Sequence, residues 1–228
     1  MRALWLVALL GIAACRPTAP SRATLPSTAL APIPGSVLYS IDAASSEVLL
    51  FVYREGPMAA LGHNHVMAVQ QLGGSVQLHD DLARSRFALQ LPLAQIQIDD
   101  PARRQQAGAD FSSIVSDGAR EGTRGNMLGP KLLDAEHYPL LALHSESLAV
   151  SGGRVQATVR ITVRDHEVLL QVPLTLTHTG DRLVASGEFS VLQSALGLTP
   201  YSVAMGALRV RDQIDAKFSI VANRVQLP

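Results

Sequence analysis

The 228-residue chain predicts an all-β fold, an antiparallel β-barrel of about eight strands carrying one short helical insert. Three observations lead there. From Ser36 onward apolar residues recur with period two, the spacing that places alternate side chains on one face of a strand. Only residues 100–131 break that period. The second half then runs through long strand candidates with strict alternation, and closure into a barrel removes the exposed edges that an open sheet would leave. Apolar residues make up 47% of the chain but aromatics only 4%, so the interior must be built from Leu, Val, Ile and Ala. With 19 basic and 19 acidic residues, and no basic cluster, a nucleic-acid surface is excluded.

Residues 1–14 read as a secretory signal. Arg2 supplies the charged start, an apolar run begins at Leu4, and small residues Ala13 and Ala14 precede Cys15. The run is too short for a mature membrane span. Ile12-Ala13-Ala14-Cys15 resembles a bacterial lipobox, in which the cysteine is acylated and becomes the new N-terminus; the alternative is an ordinary signal with a chance cysteine. Cys15 is the only cysteine, so no disulfide can form within the chain. Several acyl chains on one residue hold a protein to a membrane stably, where one does not. Arg16 after the cysteine resembles the sorting signal of outer-membrane lipoproteins. The expectation is a lipoprotein on the periplasmic face of a bacterial envelope. Residues 15–35, with Pro17, Pro20, Pro26, Pro32 and Pro34, cannot bury enough apolar area to order themselves and read as a tether.

The domain proper is expected over residues 36–228. Val37, Tyr39 and Ile41 alternate with polar or small neighbours, and residues 47–54 are nearly continuous in apolar side chains, as in a strand covered on both faces. Next comes Leu61-Gly62-His63-Asn64-His65-Val66, with two of the seven histidines within three positions. In extended backbone His63 and His65 point to one face and can converge on a ligand, a proton or a metal. Gly62 and Asn64 equally describe a tight turn with two hydrogen-bonding histidines. Gly73-Gly74 then reads as a turn or bulge between residues 66–71 and 75–79. Phe87, Leu89, Leu91 and Leu93 alternate next, with Pro92 marking an edge or a bulge. Residues 100–131 suggest one or two short helices, with Ser116 or Asp117 as N-cap and Gly129 as C-cap. Strand candidates follow at residues 140–150, 154–163, 168–176, 183–192 and 208–222, with tight turns at Asp165-His166 and Thr179-Gly180-Asp181.

By its order of features the chain resembles the YceI-like family of polyisoprenoid-binding periplasmic proteins. Tyr39-Ser40-Ile41-Asp42-Ala43-Ala44-Ser45-Ser46 is similar to the family's first strand and turn. Leu133-Asp134-Ala135-Glu136-His137-Tyr138-Pro139 is similar to its aspartate-alanine-glutamate-x-tyrosine-proline segment. Phe189-Ser190-Val191 with Ser194-Ala195-Leu196-Gly197 resembles the region before its last strand. The likeness spans about residues 37–223. It departs at the Gly62-His63-Asn64-His65 loop and at residues 162–167. The resemblance implies a lipocalin-like barrel with a helical cap and a tunnel for a long isoprenoid tail. Inward-row residues that would line such a tunnel are Phe51, Val159, Ile161, Leu170, Val172, Phe189 and Phe218, with His63, His65 and Arg54 at its mouth against a polar headgroup.

Function therefore divides into classes. The first is an envelope protein that holds an isoprenoid-type or other long apolar ligand, gaining about 0.8 kcal/mol per CH₂ removed from water. The second is a metal-binding barrel built on His63 and His65, which needs a third ligand such as His144 or His178. A ligand-free envelope interaction module is the third. An enzyme is not expected: Gly73-Gly74-Ser75-Val76-Gln77 is no nucleophile elbow, and no motif supplies nucleophile, base and orienter together. The acid pairs Asp80-Asp81 and Asp99-Asp100 read as solvated turn residues, and His79, His137 and His166 as turn or surface residues. No cofactor is called for beyond a possible bound isoprenoid or other lipid, with metal left open.

Overall fold

The computed structural model describes residues 30–226. The signal, Cys15 and the tether up to residue 29 lie outside the described residues. In chain order come β1 (Val37–Ile41), β2 (Glu47–Glu55), β3 (His65–Val69), β4 (Gly73–Leu78), β5 (Arg86–Pro92) and β6 (Gln97–Ile98). Two helices follow, α1 (Pro101–Ala107) and α2 (Asp117–Leu128). The second half supplies β7 (Leu140–Ser151), β8 (Arg154–Val163), β9 (His166–Thr179), β10 (Arg182–Leu192), β11 (Ser202–Val203) and β12 (Leu208–Arg224).

All pairings are antiparallel, and eight strands close a ring in the order β1, β4, β5, β7, β8, β9, β10, β12 and back to β1. Strand β12 makes the closure possible because it is 17 residues long. One edge pairs β10 from Gln213 to Asn223. Its other edge is shared: Arg209 to Ser219 pair β2, and Ala222 to Arg224 pair β1. Thus β1 and β2 are two halves of one barrel strand, interrupted at residues 42–46. In that interruption Asp42 accepts from the Ala44 and Ser45 amides, and the Ser46 hydroxyl accepts from Val221 N at 2.9 Å. The next two barrel strands are broken likewise, β3 from β4 at residues 70–72 and β5 from β6 at residues 93–96. Unbroken, they reduce to an eight-stranded meander, each strand beside its sequence neighbour.

The interior follows from alternation. Val155, Ala157, Val159, Ile161 and Val163 of β8 are all buried, while Arg160 faces out and bridges Glu146 at 2.7 Å and Glu167 at 2.8 Å. A second small cluster, Tyr39, Leu183 and Ala222, packs at the end of the barrel away from the helices. At that same end buried Gln77 clamps the arriving chain: its Oε1 accepts from Ile33 N at 2.8 Å and its Nε2 donates to the Ala31 carbonyl at 3.0 Å.

Two local expectations need correcting. Gly73 and Gly74 lie inside β4 rather than between strands; the break falls earlier, where Gln71 takes φ 57°. Glycine is required at position 74 because β4 and β5 approach closely there: a Cβ would sit 2.1 Å from the Ala88 carbonyl oxygen at φ +138°. Pro92 is neither a mid-strand bulge nor an edge residue. Lacking an N–H to extend the ladder, it ends β5, and the chain turns at residues 93–95 before β6 rejoins β3.

The helical insert forms at the expected place. Asp100 caps α1, accepting from Arg103 N at 3.1 Å, with Pro101 at the first helical position. Ser116 caps α2, accepting from Ala119 N at 3.2 Å, and Gly129 closes it. Met127 and Leu133 turn their side chains into the barrel's core, so the insert stoppers one end.

Replacing Gly74 with Ala is expected to cost about 2–3 kcal/mol, from strained φ and a backbone clash. Gly152→Ala, in the open turn between β7 and β8, is expected to cost about 1 kcal/mol. Urea unfolding of both variants checks this; equal midpoints would refute the close approach.

Candidate ligand cavity and the histidine loop

Inside the ring lies a cavity of about 390 Å³ whose wall is almost entirely aliphatic. That volume falls within the roughly 300–1,000 Å³ of small-molecule sites. Of the residues expected on its wall, Val159, Ile161, Val172, Phe189 and Phe218 line it. Leu170 belongs to the same inward row as Val172 but packs against the core away from the cavity. Phe51 lies on the other face of β2 from the wall residues Leu50 and Val52, and its ring meets Phe111 of the insert at 5.6 Å. Residues 47–54 are covered on both sides, so both faces are apolar and alternation could not say which row faces inward.

The histidine loop closes onto the helical end of the cavity. His65 opens β3 on the row of Met67 and Val69, and all three line the wall. The opposite row, Val66 and Ala68, is buried on the other side of the strand. His63 and Arg54 stand off the wall and hold the loop. The Arg54 guanidinium donates to the Gly62 carbonyl, and its backbone N–H donates to Asn64 Oδ1 at 3.0 Å. Asn64 Nδ2 in turn donates to the Asp110 carbonyl at 2.8 Å. His63 packs edge-on to His65 with ring centroids 6.4 Å apart, and its Nδ1 is buried without a hydrogen-bond partner.

Beneath the loop lies a charge hub that the sequence reading missed. Asp99, read as a solvated turn residue, is fully buried. One carboxylate oxygen accepts from His65 Nδ1 at 2.6 Å; the other accepts from Val66 N at 3.0 Å and Arg104 Nη1 at 2.6 Å. Arg104, also buried, reaches on to the Asn64 carbonyl at 2.6 Å and to Ser113 through its second amino group. Burial alone would push the Asp99 carboxyl up, but the bonds from His65, Val66 and Arg104 hold it below the ordinary 3.8. Two signals pointed here: Asp100-Pro101 makes Asp100 the helix cap, which leaves Asp99 at the end of a buried strand, and α1 carries an arginine four residues after that cap.

Burial lowers the His63 imidazole below its ordinary 6.5, aided by His65, Arg104 and Arg54 nearby. The other histidines lie apart from this hub. His178 Nε2 meets the Tyr39 hydroxyl at 2.9 Å near the far cluster, His144 pairs across from Arg160 on the outer face, and exposed His137 pairs with Asp134 at 2.9 Å. Among the described residues no three of His, Cys, Asp and Glu are grouped to hold a metal ion.

Two outcomes follow. Asp99→Asn leaves the buried Arg104 cation without its counter-ion and is expected to cost about 3–5 kcal/mol in chemical unfolding. His63, with its lowered folded value, takes up its proton less readily folded than unfolded, so it withdraws stability as pH falls below about 6.5. His63→Gln should flatten the fall in stability between about pH 7 and 5; an unchanged slope would show that His63 carries none of it.

Residues 39–222 match the family described as YceI-like domain. Among curated proteins nothing matches the chain. Solved structures share the fold at low identity. BcnA from Burkholderia cenocepacia superposes with a TM-score of 0.59 at 17% identity, covering 80% of this chain and 99% of that one. A polyisoprenoid binding domain from Saccharophagus degradans gives 0.55 at 12%, covering 83% and 99%. A YCEI protein from Campylobacter jejuni gives 0.51 at 9%, covering 70% and 85%.

Proposed function

The chain belongs to the YceI-like family, and we propose that it holds one long apolar molecule, of polyisoprenoid type, in the cavity of its barrel. The observation that carries this is the cavity itself: about 390 Å³ enclosed by a closed sheet and walled by aliphatic side chains. At roughly 24 cal/mol per Å³ of void, leaving such a space empty forgoes on the order of 9 kcal/mol, comparable to the whole stability of a domain. A core built only to be packed would have filled it with larger side chains. An alkyl or prenyl chain fills it instead, each buried CH₂ contributing about 0.8 kcal/mol. The similar Saccharophagus degradans domain, described as polyisoprenoid binding, supports the same ligand class.

The envelope is the proposed location. Residues 1–14 as a secretory signal and Cys15 as a lipidated anchor bring the barrel to a membrane, with the outer membrane favoured by Arg16. Among the described residues His63 and His65 gain no third His, Cys, Asp or Glu that could hold a metal ion with them, and His63 lies off the wall, which favours the lipid reading over the metal one.

Native mass spectrometry of the gently purified protein is the test. A lipid-sized adduct that denaturation removes is expected, and Val159→Asp, which puts a charge on the cavity wall, should lose it. A folded Val159→Asp variant that retains the adduct, or a bare polypeptide mass for the wild type, would count against the proposal.

A further inference from the structure

We infer that the seam between β9 and β10 is a lateral window in the barrel wall, through which the apolar chain held in the cavity enters and leaves, with residues 194–198 as its flap. This rests on the reading of the cavity as a lipid site and assigns that site its route of access.

The ladder between the two strands is short. It runs from the Arg182–Thr179 pair to the Ser186–Thr175 pair and stops there. Yet β9 goes on pairing β8 as far as His166, and β10 goes on pairing β12 as far as Leu192. Among the described residues, then, 166–174 and 187–192 border the seam without a ladder between them. Pro173 has no N–H to offer, and Gly187 crosses so close that a Cβ there would sit 2.5 Å from the Pro173 carbonyl oxygen. Val168 and Leu170 show what the seam uncovers. Both belong to the inward row of β9 and lie off the cavity wall, yet both are only half-buried. Val172 and Leu174, further along the same row, are buried. Across the seam Phe189 and Val191 of β10 line the cavity, so the seam leads into it.

Unpaired strand edges are normally covered, and here one turn, Ser194–Leu196, does so. Leu196 and Leu198 are buried and line the cavity. Among the described residues the polar bonds of this turn run to β12. Ser194 N donates to Asp212 Oδ1 at 2.8 Å, its hydroxyl donates to the same carboxylate, and Gln193 Nε2 donates to the Arg211 carbonyl at 2.9 Å. Toward β9 the contact is packing: a Cβ on Gly197 would lie 2.9 Å from the His166 ring. A flap hinged on β12 and packed on β9 opens without breaking a ladder. The two poles of the barrel are closed more firmly. Met127, Leu133 and the buried Asp99–Arg104 pair hold one, and the cluster of Tyr39, Leu183 and Ala222 holds the other.

A disulfide that pins the flap to β9 tests this. The Cβ positions of Gly197 and His166 lie 3.3 Å apart, near the short end of the roughly 3.5–4.5 Å found in disulfides. His166→Cys and Gly197→Cys are therefore combined in the full chain carrying Cys15→Ser, which leaves no other thiol. The probe is N-phenyl-1-naphthylamine, an apolar dye that brightens on burial, mixed with the lipid-stripped protein in stopped flow. Oxidation of the pair is expected to slow uptake and release by about tenfold or more at unchanged occupancy, and dithiothreitol should reverse the effect. Leu196→Ala, which shortens the plug, should speed release by about three- to tenfold. Equal rates in the oxidised and reduced protein, or unchanged release from Leu196→Ala, would overturn the window, reduce the turn to an edge cover and leave the cavity standing. A folded double variant whose thiols do not pair would overturn it too, because Gly197 would then not rest on His166. Failure of the wild type to take up the dye would overturn the cavity reading along with the window.

Discussion

Everything in this barrel depends on β12 having two partners on one edge. A closed sheet needs its last strand to meet its first in register, and the first strand is broken by the turn at residues 42–46. Strand β12 spans the break by pairing β2 along its first part and β1 at its end, with a register shift between Val210 and Ile214. The Ser46 hydroxyl at the break exchanges bonds with Val221, so the turn itself is stitched to the closing strand. Without that dual pairing β1 and β4 would separate from β12, and the cavity would open along its whole length. Closure is thus what turns an aliphatic sheet face into an enclosed volume.

The three broken strands share a purpose. Each of the first three barrel strands is interrupted, and β2, β3 and β6 pair side by side as an extension of the sheet from β12. A continuous strand keeps its neighbours at a fixed spacing and tilt. Breaks at Gln71 and at residues 93–96 release that constraint, and His65, which opens β3, lies on the cavity wall. The later strands, β7 to β10, each run 10 residues or more, with one register shift between Ser145 and Ser147 where β7 meets β8.

What could be read from the chain followed the physics of each segment. Strand β8 was legible to the residue because its inward row is apolar and its outward row polar, so alternation fixed both extent and face. Helix α2 was legible from its Ser116 and Gly129 caps. Phe51 was not, because a strand covered on both sides gives no contrast between rows. The histidine loop was visible as an anomaly, but its partners were not: Asp99 and Arg104 lie 34 and 39 positions beyond His65, and only folding brings them together (99 − 65 and 104 − 65). Long-range polar hubs leave no period in a sequence. A lone aspartate at a strand end looks the same whether water or a buried guanidinium surrounds it.

The clamp made by Gln77 has a mechanical meaning. Residues 31 to 36 are tied to the end of the barrel opposite the helices. The two ends of the barrel are therefore built differently. The Gln77 clamp lies at one pole, and the histidine loop, the insert and the exposed side chains of Leu61, Ile114 and Met205 lie at the other. The clamp and the histidine loop therefore work on opposite ends of one cavity, whose wall runs from Leu78 and Leu82 at the clamp to Thr123 and Met127 at the insert.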